Sequence, residues 1–107
     1  MNFSNPEEIR DMIISYIDSV PGSTRDSYGL MLPKMRHFLT LTLPTITVIS
    51  GKVILDLITY GTRSATIELD ENIITFRDYT YIIPPYYECS MHLSPHAAAS
   101  SALLAPQ

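Results

Sequence analysis

Two apolar rhythms divide this chain, and the point where one replaces the other limits what it can fold into. Ile9, Met12, Ile13, Tyr16, Ile17 and Val20 recur at steps of three and four residues, which places them on one face of a helix. Asn5 or Ser4 can cap that helix, Pro6 suits its first position, and Glu7 and Glu8 favour its positive end. Pro21-Gly22 ends it. The pattern predicts a helix over 5–19 and a polar loop over 21–34.

From about residue 36 the spacing reads as two. Leu39, Leu41 and Leu43 alternate with Thr40 and Thr42, and Pro44 bends the run. Thr45 to Ile49 is β-branched throughout, and Ser50-Gly51 suits a hairpin turn. In Lys52 to Tyr60, Val53, Leu55 and Leu57 share one face while Ile54 and Ile58 take the other. That pattern predicts a central strand covered on both sides. After Gly61-Thr62-Arg63, residues Ala65, Ile67 and Leu69 point inward and Thr66 and Glu68 outward. Asp70-Glu71-Asn72 forms a turn, and one last strand runs from Ile73 to about Ile83, stopped by Pro84-Pro85. The sum is an α+β domain over 1–85, an N-terminal amphipathic helix on an antiparallel β-meander of four to five strands. Residues 86–107, rich in Ala, Ser and Pro, read as an extended C-terminal tail.

Composition removes several classes of function. A chain of 107 residues fits one domain. Seven Lys and Arg against eleven Asp and Glu leave a net charge of −4. Nucleic-acid binders draw affinity from neutralised phosphates, and the cations here are few and scattered, with only Lys34 and Arg36 close together. The single cysteine, Cys89, cannot form an internal disulfide. The first residues carry no signal-peptide pattern, and no apolar run reaches the ~20 residues of a membrane helix. The expected partners are therefore other proteins, not nucleic acid or membrane, in a host cytoplasm or a virion. Charged residues make up only 17%, below the usual quarter, which suits a surface spent on protein contact.

The candidate sites are few. Cys89, His92 and His96 have zinc-binding chemistry, with His37 as a possible fourth ligand. Pro95 breaks the turn that would aim both histidines alike, so neither a metal nor another cofactor is expected. Cys89 with His92 or His96 lacks the surrounding groups of a nucleophilic site, and Asp70 and Glu71 read as turn formers. Pro21-Gly22-Ser23-Thr24-Arg25 follows a helix where a phosphate loop would precede one. Asp56, inside an apolar strand, needs a cation such as Arg36, Arg63 or Arg77. Seven tyrosines are the surplus, and Tyr79, Tyr81, Tyr86 and Tyr87 cluster around Pro84-Pro85. Tyr79 and Tyr81 are expected on one face of the last strand, with Ile74 and Phe76 on the other. Together with Leu103 and Leu104 of the tail, these tyrosines are the expected interface.

The opening helix, Pro21-Gly22, the Tyr28-Gly29 pair and the strand from Gly51 to Tyr60 resemble the sheath-initiator proteins of contractile phage tails over about half the chain. The chain departs from that family by lacking its Glu-Pro-Arg signature and, on this reading, its second helix. No functional residue carries over. The resemblance and the composition lead to the same expectation, a non-enzymatic structural subunit of a viral or phage virion or tail, forming a homo-oligomer or hetero-assembly. The alternative is a small acidic protein that inhibits one host or rival protein.

Overall fold

The computed structural model describes residues 5–81 and 86–93. Three helices, α1 (Pro6–Ser19), α2 (Gly22–Ser27) and α3 (Met31–Leu41), precede five strands. These are β1 (Thr45–Ile49), β2 (Lys52–Thr59), β3 (Thr62–Asp70), β4 (Ile73–Asp78) and β5 (Tyr87–His92). The strands form one antiparallel sheet in chain order, β1 to β5. This is the predicted α+β meander, with helices packed on one face.

Helix α1 forms as its sequence predicts. The Asn5 side chain accepts the Glu8 amide at 3.1 Å, Pro6 opens the first turn, and Ile9, Ile13, Tyr16 and Ile17 are buried. Its C-terminal carbonyls are met by a group the sequence did not suggest. Arg25 donates from Nη2 to the Ile17 carbonyl at 2.8 Å and to the Val20 carbonyl at 3.3 Å. The segment read as a phosphate loop candidate is thus the short helix α2 and the support of α1.

Two sequence expectations need correction here. Residues 21–34 are not a loop, and Leu39 to Leu43 are not a strand, because Met31–Leu41 is helical. Met31, Leu32, Met35, Phe38 and Leu39 make a buried stripe with steps of one, three and four. The Leu-Thr alternation after Phe38 coincides with the end of that helix and only mimics a strand. Pro33 is tolerated because it lies in the first turn, where its missing amide has no helical partner. A fork of Arg36 on Asp18, at 2.9 and 3.1 Å, ties α3 to α1. A helix that the sequence reading did not expect is therefore present as α3.

Across the sheet the inward rows are apolar. Val53, Leu69, Ile74 and Met91 are cross-strand neighbours, and so are Leu55, Ile67, Phe76 and Cys89. All but Cys89 are buried, most of them completely. Ser50-Gly51 and Tyr60-Gly61 turn with positive φ at both residues (51° and 79°, 52° and 77°). These left-handed pairs match the twist of the strands they join. The β4 strand stops at Asp78 rather than Ile83, since the Asp78 carboxylate accepts both the amide (2.9 Å) and the hydroxyl (2.5 Å) of Thr80. Residues 87–92, assigned to the tail by composition, form β5 against β4. Residues 94–107, with His96, Leu103 and Leu104, lie outside the described residues. No helix of the described residues is long and apolar enough to cross a membrane.

Candidate functional site

The β1 edge is the least finished part of the surface. Among the described residues no strand pairs with its outer side. The strand reads Thr-Ile-Thr-Val-Ile, with no charge, no proline and no bulge, the devices by which edges are normally protected. Register sets Ile46 and Val48 on the helix side, opposite Leu55 and Val53, and Thr45, Thr47 and Ile49 on the other. The helical layer does not extend far enough to cover β1 fully. Val48 is 59% exposed and Ile49 54%, and Leu41 and Leu43 leading into the strand are exposed as well.

The open face of the sheet is polar and largely self-satisfied. Arg77 reaches Glu88 at 2.8 Å and Glu68 at 3.5 Å, and Lys52 lies 3.7 Å from both Glu68 and Asp70. Thr66 and Thr75 are buried between these longer side chains, and Thr75 shares a hydrogen bond with Ser90. Asp56 takes Arg63 as its expected cation at 3.6 Å, longer than a hydrogen bond, and its Oδ1 is buried without one. The second cover predicted for β2 is not supplied by the described residues: Ile54 is half-buried and Ile58 exposed.

The four clustered tyrosines do not form one patch. Because β4 ends at Asp78, the alternation that put Tyr79 and Tyr81 on one face does not continue, and the two diverge. On the open face Tyr79 packs on Tyr86 (centroids 5.3 Å apart), lies near Arg63 and shares a 3.3 Å hydrogen bond with Thr66. On the helix side Tyr81 packs on Tyr87 at 5.7 Å, and Tyr87 continues through Phe76 to Phe38 in the core. Ile74 and Phe76 are core, as expected. Burial first, then the neighbouring Cys89 and Tyr81, push the Tyr87 hydroxyl up to about 12.

Lys34 joins α3 to this cluster. Its ammonium is 2.9 Å from an Asp78 oxygen and faces the rings of Tyr81 (4.8 Å) and Tyr87 (5.7 Å). Burial alone would raise the Asp78 carboxyl, but the bonds from the Thr80 hydroxyl, Lys34 and the Thr80 amide outweigh it and hold the group below its ordinary value. Beside the pair runs an open groove of about 580 Å³ between α3 and the ends of β2, β3 and β4, lined by Leu30, Lys34, His37, Phe38, Ser64 and Asp78 among others. Its hydroxyls, Lys34 and Asp78 hold one another, whereas the His37 ring meets Phe38 edge-on. Ser64 bonds to the Thr59 hydroxyl and the Thr62 carbonyl, and Asp78 to Thr80 and Lys34.

Of the metal candidates, Cys89, His92 and His37 lie among the described residues and are not brought together. Cys89 faces the helix side and His92 the open side, since three positions along a strand reverse the direction. His37 lies on α3, and among the described residues no three His, Cys, Asp or Glu side chains form a metal-binding group. Compared with protein-family models, curated proteins and solved structures, the chain finds no match.

Proposed function

We propose that this chain is a non-enzymatic structural subunit of a larger protein assembly, a virion or phage-tail component working in the virion or the host cytoplasm. The observation that carries the reading is the β1 edge: a five-residue uncharged strand whose outer side has no strand partner among the described residues, ending in an exposed Val48 and Ile49. Sheet edges of this kind pair with other chains unless something prevents it. Two supporting observations are the half-exposed aromatic pairs on either side of the sheet end, and the bonding of Lys34 to Asp78 and of Ser64 to Thr59 within the groove.

Light scattering on the purified chain over a wide concentration range tests the proposal. The expected result is a mass above that of one chain, rising with concentration and reduced by Val48→Lys, which puts a charge on the edge. A monomer at every concentration sinks the reading and favours an acidic inhibitor of one foreign protein.

A further inference from the structure

We propose that the outer edge of β1 binds β1 of a second copy of this chain, antiparallel, about a two-fold axis through Thr47. The inference rests on the assembly reading above and names its partner. The central residues Ile46-Thr47-Val48 are close to symmetric about Thr47, and all five residues of β1 are β-branched. With Thr47 on the axis, Ile46 opposes the partner's Val48, and both lie on the helix side of their sheets. Thr47 opposes the partner's Thr47 on the open side, and Thr45 opposes the partner's Ile49. Every cross-strand pair is β-branched on β-branched, the combination that packs best on a pleated surface. A two-fold contact requires such self-complementarity, because the same patch serves both sides.

The neighbouring strand favours the antiparallel arrangement. Lys52 stands beside Ile49 and Asp56 beside Thr45, both on the open face. Antiparallel pairing puts Asp56 in the same cross-sheet row as the partner's Lys52, three strand spacings or about 14 Å away. Parallel pairing of the same two edges would turn the partner's sheet over, setting its helical layer, Lys52 and Asp56 on the opposite face. At this range salt screens most of the attraction, and both groups already lie beside opposite charges of their own sheet, so the direction is set chiefly by keeping the two helical layers, and Ile46 and Val48, on one side.

Size sets the expected strength. One five-residue strand pair falls below the roughly 1,200 Å² of a specific stable interface. The dimer is therefore weak and concentration-dependent, one joint among several in an assembly. It joins two five-stranded sheets into one of ten strands and covers the exposed Val48 on each side.

Cross-linking tests the register. Cys89 is first replaced by Ser so that a single introduced thiol reports. Directly opposed residues in an antiparallel pair have Cα atoms about 4.5–5.5 Å apart, within disulfide range. Under an added mild oxidant, Thr47→Cys should give a covalent dimer in high yield. Thr45→Cys and Ile49→Cys should each give little alone and a heterodimer when mixed. Adding Val48→Lys to the Thr47→Cys chain should reduce the product at least tenfold, with unfolding midpoints confirming that every variant is folded.

Dimerisation of Thr45→Cys alone, without Thr47→Cys, overturns this register. Oligomers by light scattering without a Thr47→Cys product overturn the two-fold edge and leave the assembly reading standing. A chain that stays monomeric at all concentrations overturns both. A monomer whose β1 amides resist hydrogen exchange overturns the second copy in favour of cover by the chain's own residues.

Discussion

The two edges of the sheet are built on opposite plans. At β5 the inward side chains are covered: Met91 is 2% exposed, and Tyr87 is wedged between Phe76 and Tyr81. Its outward side carries Glu88, paired with Arg77. At β1 the inward Val48 is 59% exposed and no charge appears in the strand. One edge is anchored to the core by aromatic and ionic contacts. The other is attached to its domain chiefly by its ladder to β2. Neither outer side has a strand partner among the described residues, so the difference lies in how far side chains of the chain itself cover each border.

The largest expected effect attacks the anchored border. Phe76 is fully buried and touches both Phe38 and Tyr87. Phe76→Ala should cost about 3–5 kcal/mol, read from urea unfolding midpoints, whereas Val48→Ala should cost under about 0.5 kcal/mol in the monomer. Equal costs would break the comparison.

Next comes the tie between α3 and the end of β4. Asp78→Asn weakens three hydrogen bonds at a site 1% exposed and leaves Lys34 without its charge partner. The expected loss is about 2–4 kcal/mol. The sign of the pH dependence follows from the lowered carboxyl. The folded chain holds Asp78 ionised below the ordinary value of 3.8, so its contribution is complete above that value and lost as pH falls through the folded one. Asp78→Asn should flatten that part of the acid unfolding curve.

Tyr87 gives a smaller effect at the alkaline end. Its folded value of about 12 lies above the ordinary 10.0. Stability linked to it is intact below 10 and declines as pH rises toward 12. Tyr87→Phe should remove that decline, measured as the change in thermal midpoint between neutral and strongly alkaline buffer. A slope that persists in the variant would assign it to another group. The smallest effect on the monomer sharpens the contrast most. Val48→Lys should leave its stability within about 0.5 kcal/mol while reducing self-association.

Sequence made some of this legible and concealed the rest for identifiable reasons. The capped helix at Asn5 and the strands from Thr45 to Leu69 follow local rules of period and turn chemistry, so they could be read in place. Helix α3 could not, because the Leu39-Thr40-Leu41-Thr42-Leu43 run imitates a strand and Pro33 and Pro44 suggest interruptions. The stripe from Met31 to Leu39 was the available signal. The end of β4 depended on one carboxylate turning back on Thr80, which removed the shared face expected of Tyr79 and Tyr81. The Lys34–Asp78 contact joins residues 44 positions apart, beyond any local pattern. The bare edge was half visible: the uncharged strand can be read in the sequence, but that it lies at a border is a matter of topology.

Every strand in this sheet hydrogen-bonds to the one before or after it in the chain. The first three hairpins each close a loop of two residues, an inexpensive step in chain entropy. Such a topology belongs with rapidly folding domains rather than slow β-sandwiches. The β1–β2 hairpin is closed by Ser50 and Gly51 alone, so the uncharged border can form without waiting for β5 to dock.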